Sequence, residues 1–219
     1  AATGFSPLTN ALQCALDVSR ELVPMQEQIT NAAAVLAALY SRVSVSELVE
    51  PAPSAGQRQA IFRAALRAPD HGQLRPWRFL LVEGEDRITI GNVIADVEEC
   101  CYGPLGESQR NKAAGRLLRA PLVLLVIARI TPHAKIPEIE QIMSVAAAVQ
   151  NMLLAAHASS VGAIWRTGPV TFERLLAEKL GLAPDERLLG FLYLGTPKGE
   201  LKTAPSLDVD SFFKTWTAP

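Results

Sequence analysis

The chain has 219 residues, and its 49% hydrophobic and 20% charged content is that of a globular protein with a full core. Lysine and arginine number 21 against 22 aspartate and glutamate, a net charge of −1 that gives no electrostatic case for nucleic acid or an anionic membrane as partner. Three cysteines, with Cys100 and Cys101 adjacent, make no disulfide framework or CxxC pair, which fits a reducing, cytoplasmic setting. No apolar run suggests a membrane span, and the first thirty residues lack the pattern of a signal peptide. The length predicts a single domain over residues 1–219, in which 1–30 form a helical extension.

In chain order, Leu8–Leu22 reads as an amphipathic helix, with Leu8, Leu12, Ala15 and Leu16 at helical spacing. A second helix runs from Thr30 to Tyr40, and residues 44–53 are irregular and end in Pro-Ala-Pro. Ser54-Ala-Gly-Gln57 matches a capping box and opens a helix to Arg67. Phe79–Val82 is a short strand, followed by a turn at 83–86 and helices over 87–100 and 108–118. Cys100 and Cys101 are expected to pack. Pro121–Ile130, dense in Val, Leu and Ile, predicts a central strand buried on both faces.

The longest helix starts at Pro137 and runs to about Ser159, apolar nearly all round, which predicts burial on every side and a dimer core. Val161–Trp165 and Leu188–Leu194 are further strands, and Thr171 caps a helix to Leu180 between them. After Gly195 the chain turns polar and Pro-containing, like a tail that wraps something. The mean hydropathy of +0.17 also hints at apolar surface used between subunits. The pattern predicts an α+β fold in which a sheet is layered with helices.

Dinucleotide, P-loop, zincin and nucleophile-elbow motifs are all missing, and His71, His133 and His157 show no ligand spacing. His157, on the long helix, reads as structural or interfacial. Three separated segments remain. Ser41-Arg42-Val43-Ser44 sits where a helix ends, and an arginine with neighbouring serines can hold a phosphate through a charged fork and hydroxyls. Arg67-Ala-Pro-Asp-His71, with Gln73, Arg75 and Pro76-Trp77, joins a helix to a strand; by itself it fits a ligand contact or a solvated loop equally. Gly162-Ala-Ile-Trp-Arg-Thr-Gly168 runs from a strand into a Gly-bounded turn, where backbone can approach a flat ligand closely.

In this order and spacing, and with Glu50-Pro-Ala-Pro53, Lys135-Ile-Pro137 and Gly190-Phe-Leu-Tyr-Leu-Gly-Thr-Pro197, the segments resemble the nitroreductase family of flavin enzymes. The likeness is to its small subgroup with an A-P-D-H…P-W loop. It implies a mixed sheet layered with helices around a long buried central helix, and a homodimer with FMN at the subunit interface. It also implies hydride transfer from NADH or NADPH through flavin N5 to a nitroaromatic, quinone or similar small-molecule acceptor, by ping-pong. Since the flavin carries the chemistry, no side chain is assigned a catalytic role and no metal is implied.

Carried over by position, Arg42, Val43 and Ser44 contact the flavin phosphate. Arg67 and His71 face the flavin across the interface, Gln73 lies beside its pyrimidine, and Trp165, Arg166 and Thr167 border the ring. Arg67 or Arg166 is the expected cation near flavin N1. Two positions depart from the family pattern: Val43 and Glu47 stand where basic residues are usual, and Lys198 and Lys202 are candidates to offset them. A relative that lost turnover and serves as a scaffold, or a flavoenzyme performing dehydrogenation or dehalogenation, fits the same resemblance.

Overall fold

A computed structural model describes residues 32–218. The chain divides into two units, Ala1–Leu39 and Tyr40–Pro219. The expected helix over 8–22 lies outside the described residues, and helix α1 is Ala32–Ser41. The second unit then runs β1 (Leu48–Val49), α2 (Ala55–Ala65), β2 (Trp77–Val82), α3 (Asp86–Tyr102), α4 (Glu107–Ala114), β3 (Leu122–Arg129), α5 (Glu138–Ala158), β4 (Gly162–Arg166), α6 (Arg174–Lys179) and β5 (Glu186–Pro197). The α2 start is a true capping box. Ser54 Oγ accepts from the Gln57 amide, and Gln57 Oε1 accepts from the Ser54 amide.

Five strands form one sheet in the order β1-β5-β3-β2, with β4 also paired to β5. All pairings are antiparallel, which corrects the expected mixed sheet. Two helices separate β2 from β3, and the double reversal returns β3 antiparallel to β2. The single helix α5 does return β4 parallel to β3, but β5 pairs along both and so lies between them.

The strand β3 is the hub. Leu122, Leu124, Val126 and Ala128 face one core with Ile61 and Ala65 of α2 and Val145, Val149 and Met152 of α5. Val123, Leu125 and Ile127 face a second core with Ile94 and Val97 of α3 and Leu176 of α6. The strand is therefore buried on both faces, as its unbroken apolar run predicts.

Other expectations change. Within one chain α5 buries a single stripe, Gln141, Ser144, Val145, Ala148, Val149, Met152, Leu153 and Ala156, while Ile139 and Met143 stay about 59% and 60% exposed. The sheet and α2 cover only that side, so the all-round apolar sequence is half used. By length and composition α5 would pass for a membrane span, although its buried stripe packs on the sheet. Thr171 does not cap a helix: its Oγ1 accepts from the Gly168 amide at 3.2 Å inside a 3-10 turn, Pro169–Phe172, and α6 starts after it. Cys100 and Cys101 are exposed and unpaired rather than packed, because they fall on the solvent side of the last turn of α3.

Candidate functional site

Residues 42–47 leave α1 in extended form and meet the edge of β4, where the Val45 amide donates to the Ala163 carbonyl at 3.0 Å. Arg42 is half-buried, and its Nη1 is fully buried with no hydrogen-bond partner among the described residues. Leaving such a donor unpaired costs about 1–3 kcal/mol or more, so the position is suited to an anion supplied from outside the chain. Ser44 is exposed. Val43 lines a cavity of about 250 Å³ together with Leu153, His157, Pro197 and Leu201. His157 Nε2 is hydrogen-bonded to Ser41 Oγ at 2.9 Å, the structural role its sequence position suggests. Lys198 Nζ lies 3.9 Å from the Glu47 carboxylate, an exposed pairing that offsets part of its field.

Trp165 and Arg166 lie two and three residues beyond Ala163 along the same strand, about 7–10 Å further on, and Thr167 follows directly after its end. Strand alternation sends Trp165 and Arg166 to opposite faces. Trp165 packs on the α2/α5 core, and its indole Nε1 donates to the Leu189 carbonyl at 3.2 Å. Arg166 instead joins Arg116 and Arg119 around a second cavity of about 140 Å³, walled by Thr167, Gly168, Phe191 and Tyr193. Arg116 pairs with Glu98 at 2.6 Å, whereas Arg119 and Arg166 make no hydrogen bond or ion pair among the described residues. Burial pushes the Tyr193 phenol up against the opposing pull of Arg119, Arg166 and Arg116, which keeps its O–H as a donor.

This strand end depends on Gly190. Its φ is +127°, and a Cβ there would stand 2.6 Å from the Arg166 carbonyl oxygen and 2.7 Å from Trp165 Nε1. Only glycine lets β5 pass so close beneath the Trp165–Thr167 segment.

The loop after α2 is tightly wound. Asp70 Oδ2 accepts from the Arg75 amide at 2.7 Å, and Gln73 and Arg75 hold φ of 53° and 50°. Left-handed backbone at non-glycine residues costs about 1–3 kcal/mol and gathers at ligand-binding loops. His71 Nδ1 donates to Glu140 Oε2 at 2.8 Å, which fastens the loop to the first turn of α5. Arg67 and Gln73 are exposed. Glu140 and His157 are seventeen residues apart on α5, about 25 Å along its axis. One chain therefore brings Arg42–Ser44 and Trp165–Thr167 along one strand, and holds His71 and the tip of its loop at the far end of α5 from Arg42.

The nitroreductase family profile matches residues 39–196. YdjA of Escherichia coli strain K12, provisionally named an NAD(P)H nitroreductase, is 39% identical over 171 residues, covering 78% of this chain and 91% of that protein. The chain belongs to the nitroreductase family. A Haemophilus influenzae protein with a similar provisional name is 37% identical over 163 residues, covering 74% of this chain and 87% of its own. Among solved structures, a nitroreductase-like family protein from Bacillus cereus superposes with a TM-score of 0.71 at 22% identity, covering 83% of this chain and 95% of that one. A nitroreductase from Desulfovibrio desulfuricans, crystallised in complex with FMN, gives 0.64 at 24% identity, covering 84% and 98%. These two likenesses establish the nitroreductase fold.

The sequence does not single out Arg116 and Arg119, and it gives Gly190 only as part of the segment that carries the resemblance, without its place beneath Trp165 and Arg166. A glycine inside a buried strand was the available signal for Gly190. Arg116 and Arg119 lie in a 3-10 turn before β3, and nothing in their local sequence distinguishes them from solvated arginines.

Proposed function

We propose that residues 40–219 form one FMN-binding domain of a homodimeric oxidoreductase that passes electrons from NAD(P)H to a nitroaromatic, quinone or similar small acceptor. The unpartnered, buried Nη1 of Arg42 carries this reading, because it is a preset charged donor lacking an acceptor within the described residues. Arg42 and Ser44 hold the phosphate, and the backbone and side chains of Trp165 to Thr167 border the ring. FMN, when bound, supplies the two-electron transfer between reductant and acceptor.

Arg119 and Arg166, both unpaired among the described residues, set two positive charges behind the Thr167–Gly168 turn, with Arg116 beside them. They stabilise negative charge that develops on the pyrimidine side of a ring lying against that turn. In this arrangement the cation cluster, rather than Arg166 or Arg67 singly, tunes the reduction potential.

The homodimer is supported by α5, whose Ile139 and Met143 stay uncovered. A two-fold axis perpendicular to α5 near its middle sets the two helices antiparallel, which brings the partner copy's loop, with its Arg67, His71 and Gln73, to the Arg42 end of this chain. Exposed, unpaired Cys100 and Cys101 fit a reducing compartment such as the cytoplasm.

The test is direct. Purified protein titrated with FMN is expected to turn yellow and to bleach anaerobically with NADH or NADPH, and adding a nitroarene or quinone restores the colour. Failure to take up FMN sinks the reading in favour of a flavin-free scaffold.

A further inference from the structure

The cavity behind the end of β4 gathers like charges. Arg116, Arg119 and Arg166 surround it, and among the described residues only Arg116 has an acidic partner, Glu98 at 2.6 Å. The other two guanidinium groups are half-buried and make no hydrogen bond or ion pair there. Three arginines against one carboxylate leave an excess of positive charge in a partly enclosed space, where water screens less than at an open surface. Like charges held together repel, and an anion among them turns that repulsion into attraction.

The wall formed by β5 supplies a further donor. Tyr193 is 3% exposed, yet its hydroxyl has no hydrogen-bond partner among the described residues. A polar group on a side chain this buried is normally paired, and here the cavity is the side from which a partner can come. Thr171, also 3% exposed, lines the same cavity. Its Oγ1 accepts from the Gly168 amide at 3.2 Å, which leaves its own proton uncommitted among the described residues.

The groups that converge here are donors. A guanidinium has five N–H groups and no acceptor, and its planar fork matches the paired oxygens of a phosphate or carboxylate. The same inventory rejects a cation. At about 140 Å³ the cavity is too small for a nucleotide or a flavin, since sites for drug-sized ligands run to about 300–1,000 Å³. It is also separate from the Arg42 position. The segment after Arg42 meets the edge of β4 at Ala163, whereas Arg166 leaves the far end of that strand on the face away from Trp165.

We propose that Arg119, Arg166 and Tyr193, with Arg116 beside them, form a second anion site that takes a small oxyanion of the phosphate or carboxylate class. Its consequence for the cofactor rests on the FMN-binding reading above. The anion offsets the positive charge behind the Thr167–Gly168 turn, so reduced flavin is stabilised less while the anion is bound. By linkage, reduction of the flavin loosens the anion by the same factor.

In the test, inorganic phosphate is titrated by calorimetry into two forms of the full chain, FMN-loaded protein and flavin-free Arg42→Gln, with ionic strength held constant by chloride. Each form is expected to bind one phosphate per chain, and malonate is expected to compete for it. The second form lacks the arginine proposed for the flavin phosphate, so that arm stands even if the protein takes up no FMN. Arg119→Gln and Arg166→Gln should each weaken phosphate by about tenfold or more, and Tyr193→Phe should weaken it less. Each glutamine relieves repulsion, so thermal midpoints without phosphate should not fall. Arg119→Lys keeps the charge but loses the fork, and should also weaken binding. Absence of saturable binding in both forms, or binding that survives both glutamine substitutions, overturns the site. In FMN-loaded protein, saturating phosphate should lower the flavin midpoint potential, and Arg166→Gln should reduce that shift. A midpoint that ignores bound phosphate overturns the coupling.

Discussion

A guanidinium nitrogen that is buried and unpaired is the sharpest ligand signal at the scale of the residue, and Arg42 supplies it. Hydrogen bonds to charged groups contribute about 1.5–3 kcal/mol. Arg42→Gln is therefore expected to weaken FMN binding about ten- to hundredfold while leaving riboflavin, which lacks the phosphate, unaffected. Fluorescence titration with both flavins measures this, and an equal loss for the two would place Arg42 away from the phosphate. Glu47 looked from its type like an obstacle to a phosphate. With Lys198 at 3.9 Å and both side chains largely exposed, its effect is small and screened.

Strands and helices set where these side chains point. The two faces of β4 separate Trp165 from Arg166, so two residues adjacent in a motif serve different cavities. Gly190 holds this arrangement from below. Gly190→Ala forces a side chain into a left-handed position and against the Arg166 carbonyl, with an expected cost of about 1–3 kcal/mol. Urea unfolding should register that loss, and FMN affinity should fall with it because the Trp165–Thr167 segment must shift. Retained stability with retained affinity would show that β5 can relax away. At the other end of the site, the double reversal through α3 and α4 makes the sheet antiparallel, an outcome no single element specifies.

Across the whole molecule, one ion pair ties the second strand of the sheet to the fifth. Glu186 is buried, accepts from Arg78 at 2.6 Å and from the Ala183 amide at 3.0 Å. Burial alone pushes this carboxyl up, but the Ala183 amide and the Arg78 guanidinium outweigh it and hold it below the ordinary value of 4.5. Because the folded pKa is depressed, the pair contributes stability in full above about pH 5, and the contribution is lost as pH falls through the folded value. Thermal midpoints between about pH 3 and pH 7 should drop on the acid side, and Glu186→Gln should flatten that limb while lowering the plateau. An acid limb identical in the variant would assign the pH dependence to other carboxylates.

Much of this protein is legible along the chain. The apolar run of β3, the Ser54–Gln57 capping box and the ordered segments at Arg42, Arg67 and Trp165 follow from local rules of burial, capping and turn chemistry, and together they suffice for the family. Those rules act within a few residues of one another. Decisions that depend on distant partners needed the tertiary structure. Arg116 and Arg119 meet Arg166 only because α3, α4 and β4 pack on the same sheet. The apolar circumference of α5 marks it for burial, but the fold covers one stripe and leaves Ile139 and Met143 exposed. Periodicity tells which side chains must leave water, and packing in three dimensions decides what they leave it for.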